Sequence, residues 1–417
     1  MRPQRTLTAR GGLMLFSGVV LLVCGFVIGQ RELAGVGFFL LLAPPISALT
    51  ILGATGRVAQ SRALQPNRIP AGTDTRVLVR IGNSSTTWPV IWVRVEDTLP
   101  VRLGYEPRYT VGFLAARAVR DVTYLVRPAV RGRYPVGPLR VSVVDPLGCV
   151  RVTRQVGAPT PLLVTPPVVP LSTLSASDGS QGENSPRRSV SGAGEQDPIP
   201  REYRYGDEMR RVHWRSTAKH GELMVRRDEQ HWREHSTLLL DTRFAAHAGE
   251  GVWNSLETAV SVAASVAVNL LDSGHELRLH TERGQLHTAH TSGVLDGLAT
   301  VEASEADGLY GGISTLQGAR SSSSSLVVAV LGAVSPEDAS ALSRVRGSGL
   351  HVAVLCTRAA WTDTEHTRRT AELLTANGWR VVEVAEAAEL PPLWRRAVTG
   401  GSPLAPTGAR GSWEGSR

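Results

Sequence analysis

Two uncharged apolar runs stand almost back to back near the start of the chain, and no other feature restricts the fold as tightly. Gly11–Gly29 reads GGLMLFSGVVLLVCGFVIG, and Leu33–Gly53 reads LAGVGFFLLLAPPISALTILG. A helix of about 20 apolar residues, rising ~1.5 Å per residue, crosses the hydrocarbon core of a bilayer. Only Gln30, Arg31 and Glu32 separate the runs, which suits a tight helical hairpin. Arg2, Arg5 and Arg10 precede the first run, Arg57, Arg62 and Arg68 follow the second, and Arg31 and Glu32 cancel at the tip. The positive-inside rule then predicts a two-span protein of the cell (inner) membrane with both termini in the cytoplasm. Pro44 and Pro45 are expected to kink the second span. A cleaved signal peptide fits less well, because no small-x-small site follows the first run and a second apolar run does.

The 417 residues leave room for two further domains of ~150 residues beyond residues 1–56, the tail and hairpin. A hydrophobic share of 42% excludes a wholly disordered chain. The net charge of +8 is carried almost entirely by arginine, with Lys219 the only lysine. With so much Ala, Gly and Val, this reads as codon bias, and nucleic-acid binding is not expected. Cys24, Cys149 and Cys356 show neither disulfide-framework nor zinc spacing, as suits a reducing compartment.

Residues 70–168 read as a small β-sandwich. Strand candidates are 77–81, 90–95, 121–127 and 139–144, separated by turn signals with no amphipathic helix between them. Residues 171–197 are rich in Ser and Gly and read as a linker. From 236 to 398 short apolar strands (236–241, 276–280, 326–331, 351–356, 381–384) alternate with helical stretches (253–271, 336–346, 364–377, 386–398). That alternation predicts a doubly wound α/β domain with a parallel sheet covered on both faces. The fold class expected is therefore multidomain α+β: membrane hairpin, β-sandwich, then α/β. Residues 399–417 read as a disordered tail.

Between the last two domains, residues 198–235 interleave charges with Tyr203, Tyr205, Trp214 and Trp232. Ion pairs around buried tryptophans would account for the composition, and so would a docking surface, since Arg and Trp dominate interface hot spots. The run Arg201, Tyr203, Gly206, Asp207, Arg210, Arg211, Val212, His213, Trp214, then Thr217, Ala218, Lys219 resembles the signature of the family called domain of unknown function 58. His213 stands where the family has an acid, Thr217 where it has Ser, and Lys219 where it has Arg. Arg131–Tyr134 and Asp145–Gly148 also resemble the end of the family's β-domain. The resemblance implies a von Willebrand factor A-like C-terminal domain. It implies as partners a MoxR-type AAA+ ATPase and transglutaminase-like membrane proteins. Arg201, Tyr203, Gly206, Asp207, Arg210, Arg211, His213, Trp214 and Lys219 are the partner-binding residues expected.

Von Willebrand A domains often hold Mg²⁺ through Asp-x-Ser-x-Ser after the first strand, where hard oxygens suit the ion. Here Asp241, Thr242, Arg243, Phe244 and Ala245 occupy that place. A guanidinium repels a dication and Ala offers no ligand, so no metal is expected, and Asp241 is read as paired with Arg243, a fixed cation in the metal's stead. No phosphate-binding loop or Gly-x-Ser-x-Gly elbow is present. His275 and His280 are one residue too far apart for a zinc-protease helix. No cofactor and no catalytic residue is expected. The function expected is a non-enzymatic scaffold or adaptor at the membrane, and the alternative is a sensor binding an anionic ligand through the Arg-rich signature.

Overall fold

Glycine governs how closely the two apolar helices meet. The computed structural model describes residues 4–51, 54–172, 200–203, 209, 212, 214–226, 235–286, 290–318, 324–345, 349–357 and 364–399. A short strand β1 (Gln4–Leu7) leads into α1 (Ala9–Ile28) and α2 (Arg31–Thr50). Thr8 caps α1 by accepting from the Gly11 N–H at 3.1 Å. Gly29 ends it at φ +76°, a left-handed conformation that glycine adopts without strain. A Cβ on Gly25 would lie 2.5 Å from the Ala34 nitrogen, and one on Gly37 would lie 2.5 Å from that of Leu22. The antiparallel helices therefore touch backbone to backbone along a small-residue seam. Their outward side chains, such as Phe16, Phe26 and Phe39, are exposed hydrocarbon. Both helices are long and apolar enough to span a membrane. They start two residues earlier than the uncharged runs, and α2 continues through Pro44 and Pro45.

Ten strands follow: β2 (Val58–Gln65), β3 (Arg68–Pro70), β4 (Thr75–Asn83), β5 (Val90–Asp97), β6 (Arg108–Leu114), β7 (Val119–Val126), β8 (Gly132–Val136), β9 (Leu139–Val144), β10 (Val150–Val156) and β11 (Thr160–Thr165). They form sheets β1-β10-β9-β5-β6, β2-β4-β7 and β3-β11-β8. Alternate residues of β4 (Val77, Val79, Ile81), β5 (Val93, Val95) and β9 (Leu139, Val141, Val143) share one core. Two boundaries differ from the sequence reading. β2 lies before residue 70 yet pairs with β4 along its whole length. β1, read as part of a tail, pairs with β10. Their few apolar residues gain meaning only from a partner strand.

β12 (Pro200–Glu202), α3 (Trp214–His220) and β13 (Met224–Arg226) precede a second large core. That core is built from β14 (His235–Leu240), α4 (Ser255–Asp272), β15 (Glu276–Thr281), β16 (Gly284–Leu286), α5 (Thr291–Ala299), α6 (Tyr310–Gly318), β17 (Ser324–Leu331), α7 (Pro336–Ser343), β18 (Leu350–Cys356), α8 (Thr364–Ala376), β19 (Arg380–Val384) and α9 (Leu390–Thr399). The sheet order is β16-β15-β14-β17-β18-β19, parallel except for the edge strand β16. Leu238 and Leu240 face α4, α5 and α9, whereas Leu239 faces the opposite way toward α6, α7 and α8. The chain is thus a mixed α+β protein with an apolar helix pair and several sheets. The 171–197 linker expectation falls, beyond Ser172, outside the described residues, as does the tail beyond Thr399.

The two cores are tied by polar contacts. Arg131 is buried, donates to the Leu298 and Val301 carbonyls at 3.0 and 2.7 Å, and pairs with Glu257 of α4. Ser261, Ser265 and Asn269, four residues apart on α4, bond Pro167 O, Val169 N–H, and the Leu171 and Ser172 carbonyls.

Candidate functional site

In an open parallel sheet, ligands bind outside the carboxyl ends of the strands where the strand order reverses. Here that point lies between β14 and β17, because β15 follows β14 on one side and β17 returns on the other. Asp241 directly follows β14 there, fully buried. Arg243 folds back over it, its Nε and Nη2 donating to Oδ1 and Oδ2 at 2.9 Å each. Its Nη1 reaches Asp338 Oδ2 at 2.8 Å and its Nη2 the Ala333 carbonyl at 3.2 Å. Burial alone would lower the Arg243 pKa, but the hydrogen bonds and charge of Asp241 raise it, so the guanidinium stays charged.

The neighbours are equally engaged. Thr242 donates its amide and hydroxyl to Glu282 at 3.0 and 2.5 Å. Burial is the largest single influence and pushes Glu282 up, yet the hydrogen bonds from the Thr242 hydroxyl, the Glu282 and Thr242 amides and Ser304 together hold the carboxyl below its usual range. His247 is kept neutral mainly by burial, with Nε2 2.9 Å from the Asp241 carbonyl and Nδ1 3.0 Å from Ser255 Oγ. A Cβ on Gly332 would collide with the Ala246 carbonyl at 2.2 Å. The crevice is therefore filled by a guanidinium and by close-packed backbone. Among the described residues no cluster of three or more His, Cys, Asp or Glu is arranged to hold a metal.

Around this filled crevice the surface is aromatic. Phe244 directly follows Arg243 and is 71% exposed. Trp253 is 69% exposed, in a turn just before α4. Tyr310 is 82% exposed and follows Leu309, whose amide donates to Asp338. None of the three stood out in the sequence. Trp253 in particular reads there as the first residue of a long apolar helix, whereas Asn254 is the N-cap and Trp253 lies outside it. Asp338, Glu282 and His247 also escaped notice, lying 35 to 91 residues from one another in no recognisable motif.

The signature folds as a small unit of its own. β12 and β13 pair antiparallel, Tyr203 N–H donates to Leu223 O at 2.8 Å, and Val212 bridges to Val225. The Thr217 hydroxyl accepts from the Met224 N–H at 3.0 Å and so ties α3 to β13. Trp214 is 69% exposed, so it does not serve as the buried centre of an ion-pair cluster. Lys219 is exposed on the same helix, Tyr203 is half-buried, and Arg201 contributes backbone to β12. Gly206, Asp207, Arg210, Arg211 and His213, and with them Trp232, lie outside the described residues.

Comparison with known proteins falls on this unit. Residues 200–293 match the family described as protein of unknown function DUF58. The DUF58 match runs from β12 through the start of α5, so it takes in both the signature and Asp241–Arg243. No curated protein matches the chain. Among solved structures, the CARDB domain of a Pyrococcus furiosus protein is similar at 16% identity, covering 24% of this chain and 91% of that one, with a TM-score of 0.17. The alkylpurine DNA glycosylase AlkC of Pseudomonas fluorescens is similar at 15% identity, covering 32% and 40%, with a TM-score of 0.17.

Proposed function

We propose that this protein is a cytoplasm-facing membrane adaptor with no catalytic activity of its own. In this reading α1 and α2 anchor it, a small β-sandwich spaces it from the bilayer, and a doubly wound, von Willebrand A-like domain with the DUF58 signature engages partners. The observation that carries it is the pairing of a filled crevice with an aromatic rim. The usual ligand position of an α/β sheet is occupied by Arg243, while Phe244, Trp253 and Tyr310 expose rings around it. Large aromatics presented on a rigid base are the residues that dominate protein interfaces. The exposed Trp214 and Lys219 extend the recognition surface onto the signature helix. The partners proposed, from the family resemblance, are a MoxR-type AAA+ ATPase and a transglutaminase-like membrane protein. The arginines that flank the hairpin support the cytoplasmic side for both termini.

The test is co-purification of the tagged full-length chain, in detergent, with a MoxR-type ATPase encoded in the same genome. Wild type retains the ATPase, and Phe244→Ala with Trp253→Ala loses it, as does Trp214→Ala, while thermal melting is unchanged. Equal retention by all of them contradicts the reading.

A further inference from the structure

The strand register gathers one set of residues at the end of the five-stranded sheet from which the hairpin springs. Leu7 pairs with Val150, Val144 with Arg151, and Val93 with both Val143 and Gly112. Leu7, the turn at 145–149, Trp92 and Phe113 therefore share that end. The hairpin is fastened to the same turn: the Thr8 hydroxyl donates to Gly148 O at 2.6 Å, its amide donates to Cys149 O at 2.9 Å, and the Ser47 hydroxyl donates to Asp145. Exposed apolar side chains crowd this end, with Leu7, Ile91, Trp92, Phe113 and Leu147 all open to solvent. Amphipathic aromatics are enriched at the level of lipid headgroups.

Beside them lies a cleft of about 490 Å³ whose charged lining is Arg10, Arg94, Arg108 and Arg151 with Glu96 and Asp145. The carboxylates are already engaged. Glu96 takes Arg108 and Arg140, and Asp145 accepts from Ser47 and the Val150 amide. Arg10, Arg94 and Arg151 have no carboxylate partner among the described residues. Trp92 enters the cleft from a β-bulge at φ +56°, a conformation that costs a bulky side chain strain and persists where the surroundings demand it. A planar guanidinium fork matches phosphate oxygens in paired hydrogen bonds.

We propose that this cleft binds the phosphate of an anionic phospholipid headgroup, with Arg10, Arg94 and Arg151 on the phosphate and Trp92 at the edge of the acyl region. The site is separate from the signature and does not depend on the adaptor reading. It would fix the depth and tilt of the sheet against the bilayer, because the lipid and the hairpin hold the same turn.

Native mass spectrometry of the full-length chain, released from micelles doped with phosphatidylglycerol or phosphatidylcholine, tests it. Wild type retains phosphatidylglycerol in preference to phosphatidylcholine. Each surface arginine is worth roughly one tenfold step or less toward an anionic lipid, so Arg94→Gln with Arg151→Gln lowers retention by about tenfold or more. Arg80→Gln, whose side chain sits on Asp121 in another sheet, leaves it unchanged. Both altered arginines are exposed, so the double variant melts as wild type does. Equal retention of the two lipids, or full retention by the double variant, overturns the proposal. Displacement of the lipid by millimolar inorganic phosphate also overturns it, in favour of a soluble-phosphate site.

Discussion

Arg243 grips the Asp241 carboxylate two residues before it with a two-pronged hydrogen bond, Nε and Nη2 each 2.9 Å from an oxygen, with both residues almost entirely out of solvent. The same guanidinium reaches Asp338 from α7, so one cation ties β14 to a helix 95 residues further on.

Arg243→Met leaves two buried carboxylates without a counter-charge. Removing one partner of a buried pair costs about 3–5 kcal/mol. The expected outcome is a large drop in the melting temperature of the full chain in detergent. A loss below about 1 kcal/mol, the value of an exposed pair, would show that the centre is solvated.

Arg131 and Glu257 join the β-strand core to the α/β core. Arg131→Ala also strips the donors from the Leu298 and Val301 carbonyls near the end of α5, where a cation is favoured. Arg131→Ala is expected to cost about 3 kcal/mol, and Glu257→Gln less, because Glu257 is partly exposed. A double-mutant cycle on chemical denaturation reads the coupling, which should exceed about 1 kcal/mol for residues in direct contact.

The hairpin seam tolerates no side chain larger than hydrogen at Gly25 and Gly37. Gly25→Leu or Gly37→Leu should separate the helices, whereas Gly35→Leu, where a Cβ meets nothing within 4 Å, should not. Cysteines placed at Leu22 and Phe38 and cross-linked in membranes measure the spacing. Cross-linking that survives Gly25→Leu undiminished would contradict the close seam.

His247 carries a lowered pKa from burial, against 6.5 unperturbed. Below pH 6.5 the unfolded chain takes up a proton that the folded chain refuses. Stability from this group is thus present above pH 6.5 and is lost as pH falls toward the lowered folded value. His280 and His351 shift the same way, also chiefly through burial. Melting temperature should fall on acidification from pH 7 to about 5.5, and His247→Gln should shallow that slope. An unchanged slope would assign the effect to the other two.

Cys356 is buried at the end of β18, and burial pushes its thiol up to about 12. Burial raises Cys149 as well. Neither should react with iodoacetamide at pH 8 until the chain is denatured, as peptide mass mapping would show, since the thiolate is the nucleophile. Rapid labelling of native Cys356 would contradict its burial at the end of β18.

Periodicity in the sequence reaches as far as elements whose burial is continuous. Two uncharged runs of span length, the apolar strands 236–241, 326–331 and 351–356, and the long apolar α4 all announce themselves, because most of their side chains sit in one kind of environment. Arg243 likewise announces its own pairing, since donor and acceptor lie two residues apart. Tertiary structure alone decided the rest. β1 and β2 become strands because β10 and β4 offer them an edge, and the aromatic rim exists because the reversal of strand order brings residues 244, 253 and 310 to one crevice. The cleft at the root of the hairpin needs Arg10, Arg94 and Arg151 from three separate elements. Spacing along a chain reports only neighbours within an element, whereas pairing register and strand order set which distant charges share a surface.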